Sequence, residues 1–454
     1  MTDLPPESSG WRARFRLQRE RLAGLSRSRL VRDHLMTLAT EFGVLCASLV
    51  LLKLAALFTG PAGFGEYVLA RRLIGFIQLP TLCGIGLALS RAVAIAHARG
   101  ETGREWTYFD SALLVTGGTS LLVGLGLLVF GPQVAAAGMG HRELADLARR
   151  IAPGVAGLVL HAVAYGLLRG RRTMVQANLL QGINLGVIPL LAFLLPDVTV
   201  SRIVLVTGAA QLAVALGVVV ALRSTGPARL GWRALWTGPA RELLRYGAPR
   251  VPGEFMLGAL GALPVTAAAH FGGAVAAGQI GLGQSVVTML GAMFAPLGQV
   301  MLPSVSARVA SGRVDGLARA IWWLTAACAG LTLLAVLLLE LLASWLIPAV
   351  FGPDFAGAVA PVRLMALGAV PYIGYIVLRN VLDAIHAEPL NTWNLAAALV
   401  TFGVVLAVGR SEAAVAPATV AAMTVLGVMT IASARRSLRH HAPAVSLPDP
   451  SGSL

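Results

Sequence analysis

Hydrophobic residues gather into twelve long runs separated by short polar intervals. The runs lie at roughly 35–58, 67–90, 107–130, 145–168, 173–195, 201–222, 250–270, 277–307, 318–347, 357–385, 390–409 and 414–434. A helix needs about 20 apolar residues to cross a hydrocarbon core of about 30 Å. The pattern therefore predicts an all-α polytopic membrane protein with about twelve transmembrane helices. Several runs exceed the minimum, which predicts tilt or extension beyond the bilayer.

The polar intervals set the domain organisation. Residues 1–33 form a basic cytoplasmic N-terminal segment with no cleavable signal pattern. Within it Trp11, Phe15, Leu22 and Leu25 share one helical face beside Arg12, Arg16 and Arg19. That face predicts a short amphipathic helix on the inner leaflet, with an unstructured basic tail as the alternative. The longest internal interval, 223–249, is a basic cytoplasmic linker between an N-lobe at 34–222 and a C-lobe at 250–434. Residues 435–454 form a cytoplasmic tail.

The two halves resemble each other. Glu41-Phe42 recurs as Glu254-Phe255 and Arg150 as Arg363, each 213 residues on, and Asn178 recurs as Asn394, 216 on. Gly65-Glu66-Tyr67 is echoed by Gly278-Gln279-Ile280. Six runs separate equivalent positions, so the halves share one topology. Such parallel repeats are related by an axis along the membrane normal and rock around a central site.

Composition narrows the class. Hydrophobic residues make up 56% of the chain and charged residues 13%, with a mean hydropathy of +0.76. Soluble domains carry about 25% charged residues. A cytosolic enzyme, a disordered regulator and a secreted disulfide scaffold are excluded. The net charge is +15, which points to cytoplasmic loops and an anionic membrane surface rather than to nucleic acid. Of the 36 Lys and Arg residues, 26 fall in or beside the intervals on the N-terminal side and three in those on the other side. The positive-inside rule then predicts that both termini are cytoplasmic.

Catalytic motifs are missing. The single lysine, Lys53, has no phosphate-loop glycines around it, and neither H-E-x-x-H nor G-x-S-x-G occurs. The outer intervals are too short to house a catalytic domain. No enzyme activity, catalytic residue, metal or cofactor is expected, apart from a candidate coupling ion, H+ or Na+.

Ionisable residues inside hydrocarbon usually face a cavity or a partner. Those within the runs include Glu41, Lys53, Arg71, Arg72, Arg149, Arg150, Glu254, Glu340, Arg363, Arg379 and Asp383. Lys53, Arg71, Arg72, Arg150 and Arg363 fall in the outer half and predict a cationic, water-filled lumen for an anionic headgroup. Arginine supplies the planar fork that phosphates accept. Snorkelling to outer headgroups, or pairing with Glu340, is the alternative for each. Glu41 and Glu254 lie towards the inner side as candidates for ion coupling, with pairing to Arg32 or Arg250 as the alternative. His161 and His270 read as structural.

Four short segments resemble bacterial polysaccharide flippases of the O-antigen type. Leu243-Leu244-Arg245-Tyr246-Gly247-Ala248-Pro249-Arg250-Val251-Pro252 is similar to the opening of their seventh span, and Ala276 to Leu282 to the start of the eighth. In the latter, Ile280 and Gly281 stand where an aromatic is usual. Phe64-Gly65-Glu66-Tyr67 and Val350-Phe351-Gly352-Pro353-Asp354-Phe355 resemble the segments before spans two and ten. The resemblance implies two pseudo-symmetric six-helix bundles around a central cavity. It also implies a transporter in the bacterial inner membrane that flips an undecaprenyl-pyrophosphate-linked oligosaccharide for lipopolysaccharide export. Its partners would be membrane lipids and the polysaccharide polymerase machinery. The same superfamily holds lipid II flippases and cation-coupled multidrug extruders. An extruder would need an acidic, aromatic-rich cavity, and aromatics are only 6% of this chain.

Overall fold

A computed structural model describes the backbone of residues 9–196, 199–226, 238–310, 316–385 and 390–440. The apolar face expected on Trp11, Phe15, Leu22 and Leu25, the linker residues Arg229 and Arg233, and most of the tail lie outside the described side chains.

Among the described residues the secondary structure is helical. The N-lobe contains α1 (Ser9–Thr81), α2 (Ile85–Ala98), α3 (Thr102–Val129), α4 (Gly131–Met139), α5 (Ala145–Arg150), α6 (Ala152–Gly170), α7 (Met174–Gly182), α8 (Ile188–Leu191) and α9 (Val200–Ser224). The interval between the lobes contributes α10 (Gly238–Gly247). The C-lobe contains α11 (Val251–Ala310), α12 (Leu317–Phe351), α13 (Val359–Leu367), α14 (Ala369–Ile385), α15 (Leu390–Gly409) and α16 (Val415–His440).

Two helices are too long for one crossing, and each holds a reversal. The apolar part of α1, Leu35–Thr81, is 47 residues. At 1.5 Å per residue it would be about 70 Å long if straight. Gly60 breaks it with φ 68° and ψ −178°, a backbone region open essentially to glycine alone. The Arg71 guanidinium donates to Ser48 Oγ at 3.0 Å. Those residues would stand about 34 Å apart on a straight helix, so the chain doubles back at Gly60. α11 repeats the device 213 residues later, at Gly273, with φ 74° and ψ −163°. The loop expected at 59–66 is thus replaced by a turn concentrated at one glycine.

By length and composition the described helices give up to ten membrane-crossing segments, counting the bent pair α13–α14 as one. Two of these ten contain the reversals, which brings the total to twelve. Long apolar side chains cover the outside. Leu121, Leu122, Leu125 and Leu128 on α3, and Leu334, Leu337, Leu338 and Leu341 on α12, are exposed, as a lipid-facing surface requires.

The end of the N-lobe that carries the turn between α2 and α3 is tied by charge. The Glu105 carboxylate, 1% exposed, takes Arg171 at 2.7 Å and His97 at 3.0 Å. Asp110 pairs with Arg223 at 3.3 Å. The Trp106 ring lies against both guanidinium groups, at 4.1 Å from Arg171 and 5.5 Å from Arg223. α10 docks on this end. Leu243 is buried, Tyr108 Oη donates to Glu242 at 2.6 Å, and Arg91 covers the Tyr246 ring at 4.4 Å. The interval 223–249 therefore contains a helix packed on the N-lobe.

Candidate substrate cavity

The hairpins of α1 and α11 face each other across the lobe boundary and enclose a cavity of about 540 Å³. Its walls follow the repeat. Nine pairs of lining residues stand 213 positions apart, among them Glu41 with Glu254, Ser48 with Gly261, Arg71 with Gln284, Arg72 with Ser285, and Gly75 with Thr288. Tyr372 on α14 and Met423 on α16 complete the C-lobe side.

The second arms of the two hairpins cross at the pseudo-symmetry axis. Each axis residue meets its own repeat equivalent. Gly65 lies against Gly278 and Ala274, and the Val68 side chain occupies the space beside Gly281. Arg72 donates to Ser285 Oγ at 3.2 Å. Near the hairpin tips the lobes are shut. A Cβ added to Gly65 would overlap the Ala274 carbonyl oxygen. Thr266 Oγ1 donates to the Gly138 carbonyl at 3.0 Å, and Phe64 meets Phe355 edge-on at 5.2 Å between centroids. At the opposite end Glu254, Phe42 and Phe255 are exposed. The cavity is therefore closed at the hairpin tips and reaches towards the end that carries Glu41 and Glu254.

The structure thus brings four of the seven candidate residues to one cavity: Arg71, Arg72, Glu41 and Glu254. Glu41 accepts from Gln181 Nε2 at 3.2 Å, and Gln181 Oε1 meets His161 Nε2 at 3.2 Å, which ties the carboxylate into the N-lobe interior. The expected partners Arg32 and Arg250 are engaged elsewhere: Arg32 lies 3.9 Å from Asp33 and Arg250 donates to the Tyr246 carbonyl.

The other three candidates lie away from it. Arg150 pairs with Asp146 one turn earlier at 2.7 Å, and Arg363 faces Glu340 at 3.7 Å. Neither lines the cavity, so of the five cations expected in the lumen only Arg71 and Arg72 do. Lys53 lies at a second cavity of about 380 Å³ between α1, α11, α12 and α13, whose other lining side chains are apolar except for Ser285. Leu52, Ser285 and Met289 line both cavities, so a wall one side chain thick separates them.

Sequence reasoning missed Ser48, Gln284, Ser285, Thr288 and Tyr372, because neutral polar residues in a membrane helix carry no obvious signal. The 213-residue offset from Arg71 and Arg72 was the available pointer to Gln284 and Ser285.

A family profile described as "Polysaccharide biosynthesis protein" matches residues 30–308. No curated protein matches the chain by sequence. Among solved structures, the chain is similar to a multidrug resistance MATE family transporter of the MOP superfamily in its inward-facing conformation. The TM-score is 0.71 at 16% identity, over 90% of this chain and 98% of that one. The eukaryotic MATE transporter AtDTX14 gives 0.68 at 12% identity, over 91% and 99%. An outward-facing MATE family transporter of the MOP superfamily gives 0.55 at 17% identity, over 90% and 95%. The chain belongs to the polysaccharide biosynthesis protein family, and its two-lobed helical fold is similar to that of the MATE family transporters.

Proposed function

We propose that this protein flips an undecaprenyl-pyrophosphate-linked oligosaccharide from the inner to the outer leaflet of the bacterial inner membrane by alternating access. One observation carries the reading: a cavity lined by two arginines and two carboxylates shares a wall with an apolar cavity. An amphiphile needs both environments at once. Its pyrophosphate accepts hydrogen bonds from Arg71 and Arg72, whose forked donors suit it. Its polyprenyl tail stays in an apolar setting, with Leu52, Ser285 and Met289 as the seam. Glu41 and Glu254, equivalent residues near the open end, serve as the coupling carboxylates for H+ or Na+.

Arg72→Ala is expected to lower surface polysaccharide about tenfold or more at unchanged membrane abundance. A charge-assisted hydrogen bond contributes roughly 1.5–3 kcal/mol, and 1.4 kcal/mol is a factor of ten. Arg72→Lys keeps the charge but loses the fork, so it restores export only in part. Export in a deletion strain, with abundance by blot, measures both. Normal export by Arg71→Ala and Arg72→Ala would remove the anionic substrate. A second reading, a cation-coupled extruder of soluble amphiphilic drugs, draws on the two carboxylates. It predicts that Glu41→Gln and Glu254→Gln abolish drug efflux while the arginine variants do not.

An even number of crossings and the Lys/Arg bias support cytoplasmic chain ends. Reporter fusions at residues 5 and 450 should both read cytoplasmic. A periplasmic signal from either overturns the direction of transport proposed here.

A further inference from the structure

The two cavity walls come from equivalent positions, yet their chemistry differs. The N-lobe wall presents Arg71, Arg72 and Gly75; the matching C-lobe positions are Gln284, Ser285 and Thr288. At these three positions one wall is cationic and the other neutral and hydrogen-bonding, while each wall also carries one carboxylate, Glu41 or Glu254.

Two further observations mark the C-lobe wall as a built surface. Gln284 is 2% exposed, lines the cavity, and its Oε1 has no hydrogen-bond partner. Leaving a buried acceptor unmade is costly, so a donor is expected to complete it. Tyr372 presents an aromatic ring to the same cavity. That ring is held by stacking on Tyr375 at 6.0 Å between centroids and 24° between planes. Position 291 is glycine, and a Cβ there would stand 2.8 Å from Tyr372 Cε1. The bare helix surface at Gly291 therefore makes room for the ring.

We propose that Tyr372 and Gln284 form a subsite for a sugar ring, adjoining the phosphate subsite at Arg71 and Arg72. This rests on the transport reading above and assigns it a direction: the headgroup lies across the lobe boundary, phosphates on the N-lobe and saccharide on the C-lobe. A pyranose fits the chemistry of the C-lobe wall. Its C–H face packs on the aromatic ring, and an equatorial hydroxyl donates to Gln284 Oε1. Neither contact involves charge, so this part of the wall suits a neutral polyhydroxylated group.

The test compares two probes on protein in lipid nanodiscs: polyprenyl-pyrophosphate-linked saccharides extracted from native membranes, and undecaprenyl pyrophosphate without sugar. Tyr372→Leu is expected to weaken the saccharide-bearing probe about tenfold and leave the sugar-free probe within about twofold. Tyr372→Phe keeps the ring and should keep the discrimination. Gln284→Ala should act in the same direction as Tyr372→Leu, and Arg72→Ala should weaken both probes alike. The subsite is overturned if Tyr372→Leu and Gln284→Ala both leave the ratio of the two affinities unchanged while the wild-type protein binds both probes. Wild-type protein that binds neither probe overturns the transport reading itself.

Discussion

Gly65→Leu is expected to abolish transport while leaving a folded, membrane-inserted protein. Gly65 meets Gly278 and Ala274 where the lobes close at the hairpin tips, and even a Cβ there overlaps the Ala274 carbonyl. The overlap involves backbone, which cannot swing aside as a flexible side chain can. Overpacking of this kind costs about 1–3 kcal/mol. It acts only on the state in which the tips touch, so it shifts the conformational equilibrium rather than folding. A bias of about 3 kcal/mol lowers the closed-tip population by roughly a hundredfold. Two measurements check this: flipping in reconstituted vesicles, and labelling of a cysteine placed beside Gly138. Flipping should fall and labelling should rise. Normal flipping by Gly65→Leu would mean that this seal does not form in the transport cycle.

The second large effect is on stability. Glu105→Ala removes the carboxylate that holds Arg171 and His97, and it leaves the Arg171 guanidinium, 17% exposed, without that partner. Breaking a buried pair from one side costs about 3–5 kcal/mol, because a charge is left uncompensated. The loss reaches Trp106, since its ring packs on the same guanidinium. The expected result is a sharp fall in the monodisperse fraction after heating in detergent. Glu105→Gln should be milder because an amide oxygen still accepts. Heat resistance equal to the wild type in Glu105→Ala would show that the cluster contributes nothing net.

The spans were legible because a membrane helix announces itself by run length alone. Arg71, Arg72, Glu41 and Glu254 were legible because an ionisable group in an apolar run is costly and must face something polar. What run length and depth cannot give is direction around the helix axis. Lys53 and Arg72 both stand in apolar runs, yet one lies at the apolar cavity and the other at the central one. Arg150 and Arg363 were chosen for their shared offset, but a repeat preserves structural pairs as readily as functional ones. Asp146, one turn before Arg150, was a readable warning. The single-residue reversal at Gly60 was hidden because Gly-Pro in a sequence reads as an ordinary loop. Only backbone angles separate a loop from a hairpin of helices.

The axis contacts constrain how such a chain can diversify. Two identical halves would set every axis residue against a copy of itself. An arginine at position 72 would then confront an arginine at 285, and a valine at 68 would collide with a valine at 281. Here Gly65 does face Gly278, but where the partners differ the larger one is in the first half: Val68 over Gly281 and Arg72 over Ser285. A symmetric homodimer cannot make that choice, because any change appears on both sides at once. Joining the halves in one polypeptide lifts the restriction. The resulting asymmetry lets one lumen hold a cation on one side and its hydrogen-bonding counterpart on the other.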